Sequence, residues 1–141
     1  MVFVWDSKLE TGFKLIDEHH KRVFAYLNRV MEARENKESV ASISTILAEF
    51  IDFFSYHCRL EEDMCEIYGY GHIDEIKSDH DFFIKKVTEY RDDLESGDVC
   101  VVLKSIIKLF QKEVVEHLNT WDKRYVSYVL GKITEVGPKA N

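Results

Sequence analysis

The sequence is poor in the residues that build turns, with one proline and six glycines among 141 residues. Tight turns depend on such residues for their backbone conformations, so a turn-rich β architecture is unfavourable. Hydrophobic residues make up 45% of the chain, including nine Phe, seven Tyr and two Trp. This content argues against disorder, and the length suits one domain with a sizeable core.

Long hydrophobic runs and excess positive charge are also missing. No uninterrupted apolar stretch approaches the 18 residues of a membrane span. Residues 1–6 lack the basic and apolar regions of a secretory signal. The net charge is -7, whereas phosphate binding requires a basic surface. We therefore expect a cytoplasmic protein that binds neither membranes nor nucleic acid.

Cysteine is scarce and odd in number, with three residues. Cys58 and Cys65 lie seven residues apart on one predicted helix, so a rise of about 10 Å separates them. That separation is too large for a disulfide. Reduced thiols in the cytoplasm are the simplest interpretation. A thiol redox switch is the alternative, because these cysteines flank a motif described below.

Apolar residues recur with helical spacing in four segments. The predicted helices run from about Phe13 to Arg34, Val40 to Glu66, Ile73 to Leu94, and Val99 to Leu130. Ser39 is a predicted N-cap, and the Gly-rich turn at 68–71 separates the second and third helices. The pattern predicts an all-α fold: an up-down-up-down antiparallel four-helix bundle with an N-terminal arm.

Each predicted helix carries a histidine where its apolar stripe would place a core residue. These are His20, His57, His80 and His117, and Glu61 follows His57 by one turn. A buried imidazole or carboxylate without a partner is costly, and a metal centre satisfies all five together. A single such histidine is usually a core residue with a hydrogen-bond partner. A set spread over all four helices favours metal binding.

Asp122 is a sixth candidate ligand, five residues after His117. Five residues rotate by about 140° on an ideal helix, which carries Asp122 off the His117 face. It reaches the same site only if the helix widens locally, as in a π-bulge, or is otherwise distorted. Imidazoles combined with carboxylates suit iron, manganese or zinc.

The motifs in this order resemble those of the bacterial hemerythrins. The segments that carry the resemblance are IDEHH (16–20), HCRLEE (57–62), YGY (68–70), His80 and HLNTWD (117–122), together with Trp5, Leu9, Thr11 and Gly12. The resemblance implies one hemerythrin-like domain over residues 1–141, with an arm at 1–12, a bundle at about 13–130 and a short tail. It also implies two non-haem iron ions with an oxo or hydroxo bridge, with manganese or zinc as alternatives.

The resemblance further implies a role for each ligand. His20 and His57 would bind the oxygen-binding iron, His80 and His117 the other iron, and Glu61 and Asp122 would bridge the two. His19 occupies a position that is usually not histidine in this family. We therefore interpret it as a surface residue or as support for a ligand.

The chain departs from the family at Ile76, where an HxxxH motif would end at His80. The second iron would lose one imidazole. Glu113, one turn before His117, is one candidate replacement, and His72, which would reach back from the start of the helix, is another. Asp79 and Glu75 are further options, although third-helix geometry points them away from the His80 face. Two further alternatives are that water or hydroxide fills the position, or that the second site is weakly occupied.

The resemblance implies a protein that binds O₂ for storage, delivery or sensing. A ligand-binding protein is favoured over an enzyme, and the ligand would be O₂, another small diatomic molecule or a peroxide. The loss at Ile76 motivates an alternative, a diiron enzyme of oxidase or peroxidase type that acts on O₂, peroxide or nitric oxide. An iron or zinc store, or a structural metal bundle, is a third possibility. The protein partner is open.

Overall fold

The protein, described here by a computed structural model over residues 3–136, is a four-helix bundle. A 3₁₀ turn at Ser7–Leu9 precedes α1 (Lys14–Glu35), α2 (Val40–Ile67) and α3 (Ile73–Asp93). Residues 99–136 form a continuous helical fourth rod. It consists of α4 (Val99–Leu109), a π-helical turn (Phe110–Val114), α5 (Val115–His117), a second π-helical turn (Leu118–Asp122) and α6 (Lys123–Val136).

Helix boundaries agree with the sequence prediction to within a residue, except at the end of the fourth rod. That rod continues to Val136, beyond the predicted end at Leu130. The predicted short tail includes residues 137–141, which lie outside the described part of the chain. Ser39 caps α2 as predicted, since its hydroxyl accepts a hydrogen bond from the Ser42 amide at 3.1 Å.

The N-terminal arm closes one side of the bundle. The Phe3 ring packs edge-on against Phe110 on the fourth rod, with ring centroids 4.9 Å apart. The Phe3 amide donates to Asn28 Oδ1 at 2.7 Å, and Asn28 Nδ2 donates back to the Phe3 carbonyl. At the base of the arm, the buried Asp17 carboxylate accepts from the Thr11 amide and hydroxyl, both at 2.8 Å. These bonds fix how the chain enters α1.

The interior contains two apolar clusters. The large one fills most of the bundle and includes Val23, Cys58, Phe83 and Leu118. The small cluster comprises buried Ile16, Cys65, Ile76, Tyr125 and Val126.

A polar layer lies between the two clusters in every rod. Along α1 the order is Ile16 in the small cluster, then His20, then Val23 in the large one. Along α3 the order is again small to large, with His80 in the polar position.

Along α2 and the fourth rod the order is reversed. Glu61 lies between Cys58 of the large cluster and Cys65 of the small one, and Asp122 lies between Leu118 and Tyr125. This alternation is expected of antiparallel neighbouring helices. It places the polar residue of each of the four rods at the same height in the bundle. Among residues 3–136, no helix is both long and apolar enough to cross a membrane.

Candidate metal centre

Glu61 is the centre of the polar layer. Its Oε1 lies 2.5 Å from His57 Nε2 and 3.2 Å from His20 Nε2, and its Oε2 lies 3.2 Å from His80 Nε2. The carboxylate thus joins three helices. The side chain is only 1% exposed, so its negative charge is stabilised by these neighbouring imidazoles and not by water.

The second π-helical turn brings Asp122 into the same group. This turn spans Leu118–Asp122 and supplies the local widening that the five-residue spacing after His117 requires. Asp122 Oδ2 consequently lies 3.2 Å from His20 Nε2. The first π-helical turn, Phe110–Val114, was not anticipated from the sequence.

Four of these residues form what we call the closed half of the site: His20, His57, Glu61 and Asp122. All four are buried. Within residues 3–136, the set of three potential ligands whose donor atoms all lie within 4.8 Å of one another is His20, His57 and Glu61. Donors about 2.1 Å from one ion and at right angles to each other are about 3.0 Å apart, close to the spacings observed here.

The remaining polar residues form the open half: Asp79, His80, Glu113 and His117. His117 Nε2 lies 3.0 Å from Asp79 Oδ2. These two side chains are 22% and 42% exposed, so water reaches this side of the layer. His80 connects the halves through Glu61.

The charges of the polar layer are strongly coupled. Burial lowers the pKa of His20, but hydrogen bonds to Asp122 and Glu61 outweigh burial and raise the pKa to about 9. The pKa of His80 is also raised, because contacts with Cys58, Glu61 and Glu62 outweigh its burial. For Glu61, burial favours the neutral acid, yet the surrounding imidazoles hold its pKa well below the usual range. These shifts favour a charged Glu61 carboxylate beside protonated His20 and His80, and a bound cation would take the place of those protons.

One buried polar atom points to a missing partner. Glu61 Oε2 has no hydrogen-bond partner among the described residues despite its proximity to His80. An orphaned carboxylate oxygen is costly unless something binds it. The nitrogen and oxygen donors suit iron, manganese or zinc, so the residues present fit a metal ion.

Two ligand imidazoles are oriented by a second partner at Nδ1. His80 Nδ1 donates to Glu62 Oε2 at 2.9 Å, and His57 Nδ1 lies 3.0 Å from His19 Nδ1. Such contacts turn Nε2 toward the site, as in many metal centres. His19 is buried, so its interpretation as a surface residue was wrong and the supporting role is the one that the geometry fits. Burial, followed by the nearby His57, lowers the pKa of His19.

A cavity of about 30 Å³ opens between the two halves. It is lined by His20, Val23, Phe54, His57, Glu61, Asp79, His80, Phe83, Glu113, Val114, His117, Leu118 and Asp122. One water needs roughly 10–15 Å³ on this scale, so the space suits ions or molecules of a few atoms.

The apolar wall of the cavity includes Phe54 and Val114. Phe24 and Phe53 lie on the same helical stripes but do not line it. Phe24 belongs to the large cluster, and the Phe53 ring lies over the outer side of His57 with centroids 6.5 Å apart.

The position lost at Ile76 is not filled by His72. That side chain is 62% exposed, its Nδ1 lies 3.6 Å from Glu75 Oε2, and it does not line the cavity. Glu113 does line the cavity. Asp79 was expected to point away from the His80 face, and this was wrong, because its carboxylate lines the cavity and contacts His117.

The cysteines are all free thiols. Burial raises the pKa of both Cys58 and Cys65 to about 12. These two thiols are therefore protonated at neutral pH and are poor nucleophiles, whereas Cys100 is exposed.

Sequence reasoning missed Glu62 and Tyr125. Glu62 follows Glu61 directly and was not singled out, although a carboxylate beside a candidate ligand is a common partner for a second imidazole. Tyr125 is fully buried, and its pKa is raised by burial and then by the charges of Glu61 and Asp122. Its place one turn after Asp122 was the available signal.

Comparison with known proteins agrees with this geometry. A family model described as the hemerythrin HHE cation binding domain matches residues 11–129. The chain is 32% identical to a bacteriohemerythrin of Pseudomonas aeruginosa over 94% of its own length and 85% of that protein. It is 27% identical to a bacteriohemerythrin of Stenotrophomonas maltophilia, covering 95% and 86% of the two chains. It is also 27% identical to one of Clostridium acetobutylicum, covering 89% and 99%. With the matched region spanning the whole polar layer, the chain belongs to the hemerythrin family.

Proposed function

We propose that this protein holds two non-haem iron ions in the polar layer and binds O₂ there, for storage, delivery or sensing. The ligands are His20 and His57 on one ion, His80 and His117 on the other, and Glu61 and Asp122 between them. Membership of a cation-binding family and the names of the bacteriohemerythrin relatives support the proposal. Manganese and zinc fit the same donor set.

The observation that carries the proposal is the placement of Glu61. One buried carboxylate faces imidazole nitrogens from three helices at 2.5–3.2 Å and keeps one oxygen without a hydrogen bond. A structural salt bridge would pair one imidazole with one carboxylate. A carboxylate that presents both oxygens to separate imidazoles is arranged as a bridge between two ions.

The chain's own residues would control the ligand's surroundings. Ferrous iron held by these residues would supply the electrons with which O₂ is bound. Phe54, Phe83 and Val114 line the cavity with hydrocarbon, which keeps water and protons away from the bound ligand. His19 and Glu62 hold the ligand imidazoles in place from behind.

The test is reversible oxygenation of the iron-loaded protein. Ferrous iron is loaded anaerobically and counted per chain, and visible spectra are recorded under argon, under air and under argon again. We expect a band that appears with O₂ and disappears on its removal. An iron-loaded protein that shows no such band in any redox state contradicts O₂ binding.

A second candidate function is a diiron enzyme that consumes O₂, peroxide or nitric oxide. It is favoured by Ile76, whose side chain belongs to the small apolar cluster and supplies no donor to the second ion. Fewer imidazoles leave more room for exogenous ligands. This function predicts rapid oxidation of the iron in air and repeated turnover with a reductant.

Ile76→His separates the two functions, with Ile76→Gln as a control that adds a polar side chain without an imidazole. If the enzyme reading is right, the histidine variant oxidises more slowly in air and turns over less, while the glutamine variant does not. Equal rates in all three proteins contradict it.

We also propose that residues 1–141 act as one hemerythrin-like domain in the cytoplasm, where free thiols such as those found here are stable.

A further inference from the structure

The open half of the site lacks the donor that position 76 would provide. Ile76 is 2% exposed and packs with Ile16, Cys65 and Tyr125 in the small cluster. It does not line the cavity. An ion placed beside His80 and His117 therefore has a coordination position that another side chain or water has to fill.

Asp79 is placed to be that ligand. It lies on α3 directly before His80, and its carboxylate reaches the cavity. The 3.0 Å between Asp79 Oδ2 and His117 Nε2 is the spacing expected of two ligands at right angles on one ion, about 2.1 Å from each. The closed half shows nearly the same spacing, 3.2 Å, between His20 and each of its two carboxylates.

A histidine and an aspartate at this distance could also be an ordinary ion pair. Two features distinguish this pair. Both side chains line the cavity that contains Glu61, and Glu61 Oε2, 99% buried, lacks a hydrogen-bond partner within residues 3–136. An ion bound between that oxygen, His80 and the Asp79–His117 pair would satisfy all of them.

The open half is not closed around such an ion. Its residues are absent from the set of donors within 4.8 Å of one another in the described chain. Among the ion pairs of the polar layer, the pair of Asp79 and His117 is also the most exposed. Ordering these side chains around an ion costs conformational entropy, whereas the side chains of the closed half are already ordered. The second ion is therefore expected to bind more weakly than the first.

We propose that Asp79 replaces the missing imidazole as a ligand of the second ion, together with His80 and His117, and that this ion binds after the first and less tightly. The inference rests on the proposed two-ion site. It gives the second position a donor set of two imidazoles with carboxylates, which is harder than three imidazoles and suits manganese or ferric iron.

The experiment is an anaerobic titration of metal-free protein with ferrous iron, read as iron bound per chain at each free concentration. The variant is Asp79→Asn. The control is Asp81→Asn, an exposed aspartate on the same helix that does not line the cavity. We expect two steps in the wild type and in the control. In Asp79→Asn the first step should be unchanged and the second weakened about tenfold or more, since even supporting residues of metal ligands change affinity by 10–100-fold.

Asp79→His provides a second, independent variant, because it restores a donor at the same place. It should retain the second step, and circular dichroism of each metal-free variant checks folding. If Asp79→Asn does not fold, loss of the second step in Asp79→His overturns the inference.

The possible outcomes distinguish a failure of the proposed role of Asp79 from a failure of the proposed two-ion site. Two steps of unchanged affinity in Asp79→Asn overturn the role of Asp79 and leave the two-ion site standing. A single step in the wild type overturns the inference, and no binding at all removes the proposed function as well.

Discussion

The two halves of the metal centre differ in how completely the fold has prepared them. The closed half is buried, its Nε2 and carboxylate atoms already converge, and Glu61 ties its helices together. The open half reaches water, and its donors meet as a His117–Asp79 pair on one side of the cavity. The two halves differ because of burial. Buried polar side chains cannot form hydrogen bonds with water, so they have to find their partners among neighbouring side chains.

The largest expected effect comes from removing the residue that both halves share. Glu61→Gln should abolish tight binding of both ions, weakening affinity by roughly a hundredfold or more. The metal-free protein should also lose about 3 kcal/mol of stability, because three buried imidazoles lose the carboxylate that they share and only His20 keeps a second carboxylate, Asp122. Metal content per chain and urea unfolding measure the two effects.

Glu66→Gln, an exposed change on the same helix, is the matched control and should behave as the wild type. Loss of only one ion in Glu61→Gln would show that the halves are independent.

A chelator is expected to remove the ion of the open half before the ion of the closed half. Each site that binds only the folded bundle adds about 2.7 kcal/mol at a free metal concentration a hundred times its Kd. Limited chelator should first remove the weaker ion with a small fall in Tm, and excess chelator should then lower Tm further. Calorimetry alongside metal counts tests this order. Simultaneous loss of both ions would contradict the comparison.

A smaller effect is expected from pH on the metal-free protein. His20 has a pKa of about 9 in the fold, above the usual 6.5, so its stabilisation is complete below about pH 6.5 and is lost as pH rises through 9. This is worth up to about 3 kcal/mol. The depressed pKa of Glu61 acts oppositely: its contribution is present above pH 4.5 and is lost as pH falls toward the folded pKa.

Metal binding should reverse the alkaline loss, since the ion replaces the proton on His20. Affinity is therefore expected to rise between pH 6 and about 9, with protons released on binding. Calorimetric titration in two buffers of different ionisation enthalpy measures the release. Binding without proton release would show that His20 is not a ligand.

The smallest expected effect concerns Glu113, which lines the cavity at the open half. Its removal as Glu113→Gln should change the affinity for the second ion less than about threefold, equivalent to roughly 0.5 kcal/mol. The same iron titration used for Asp79 measures it. A loss as large as that expected for Asp79→Asn would assign the replacement ligand to Glu113 instead.

The sequence by itself determined the four helices and the level at which their polar residues meet. Apolar periodicity locates the buried face of each helix, and His20, His57, Glu61 and His80 interrupt that face in ways that only a shared partner explains. The five-residue spacing between His117 and Asp122 also indicated that the helix has to be widened or otherwise distorted if both residues share one site, and the structure has a π-helical turn at Leu118–Asp122.

Only the tertiary structure decided which side chains complete the centre. Asp79, Glu62 and His19 contact candidate ligands on neighbouring helices. These contacts depend on how each helix is rotated about its axis and on the rotamers that its neighbours allow. The apolar periodicity of a sequence locates the buried face of a helix only to within a wide angle. Metal coordination depends on donor positions that are correct to a few tenths of an ångström. The same limit explains why the missing imidazole at Ile76 could be recognised from the sequence, whereas the contact between Asp79 and His117 depended on how the helices pack together.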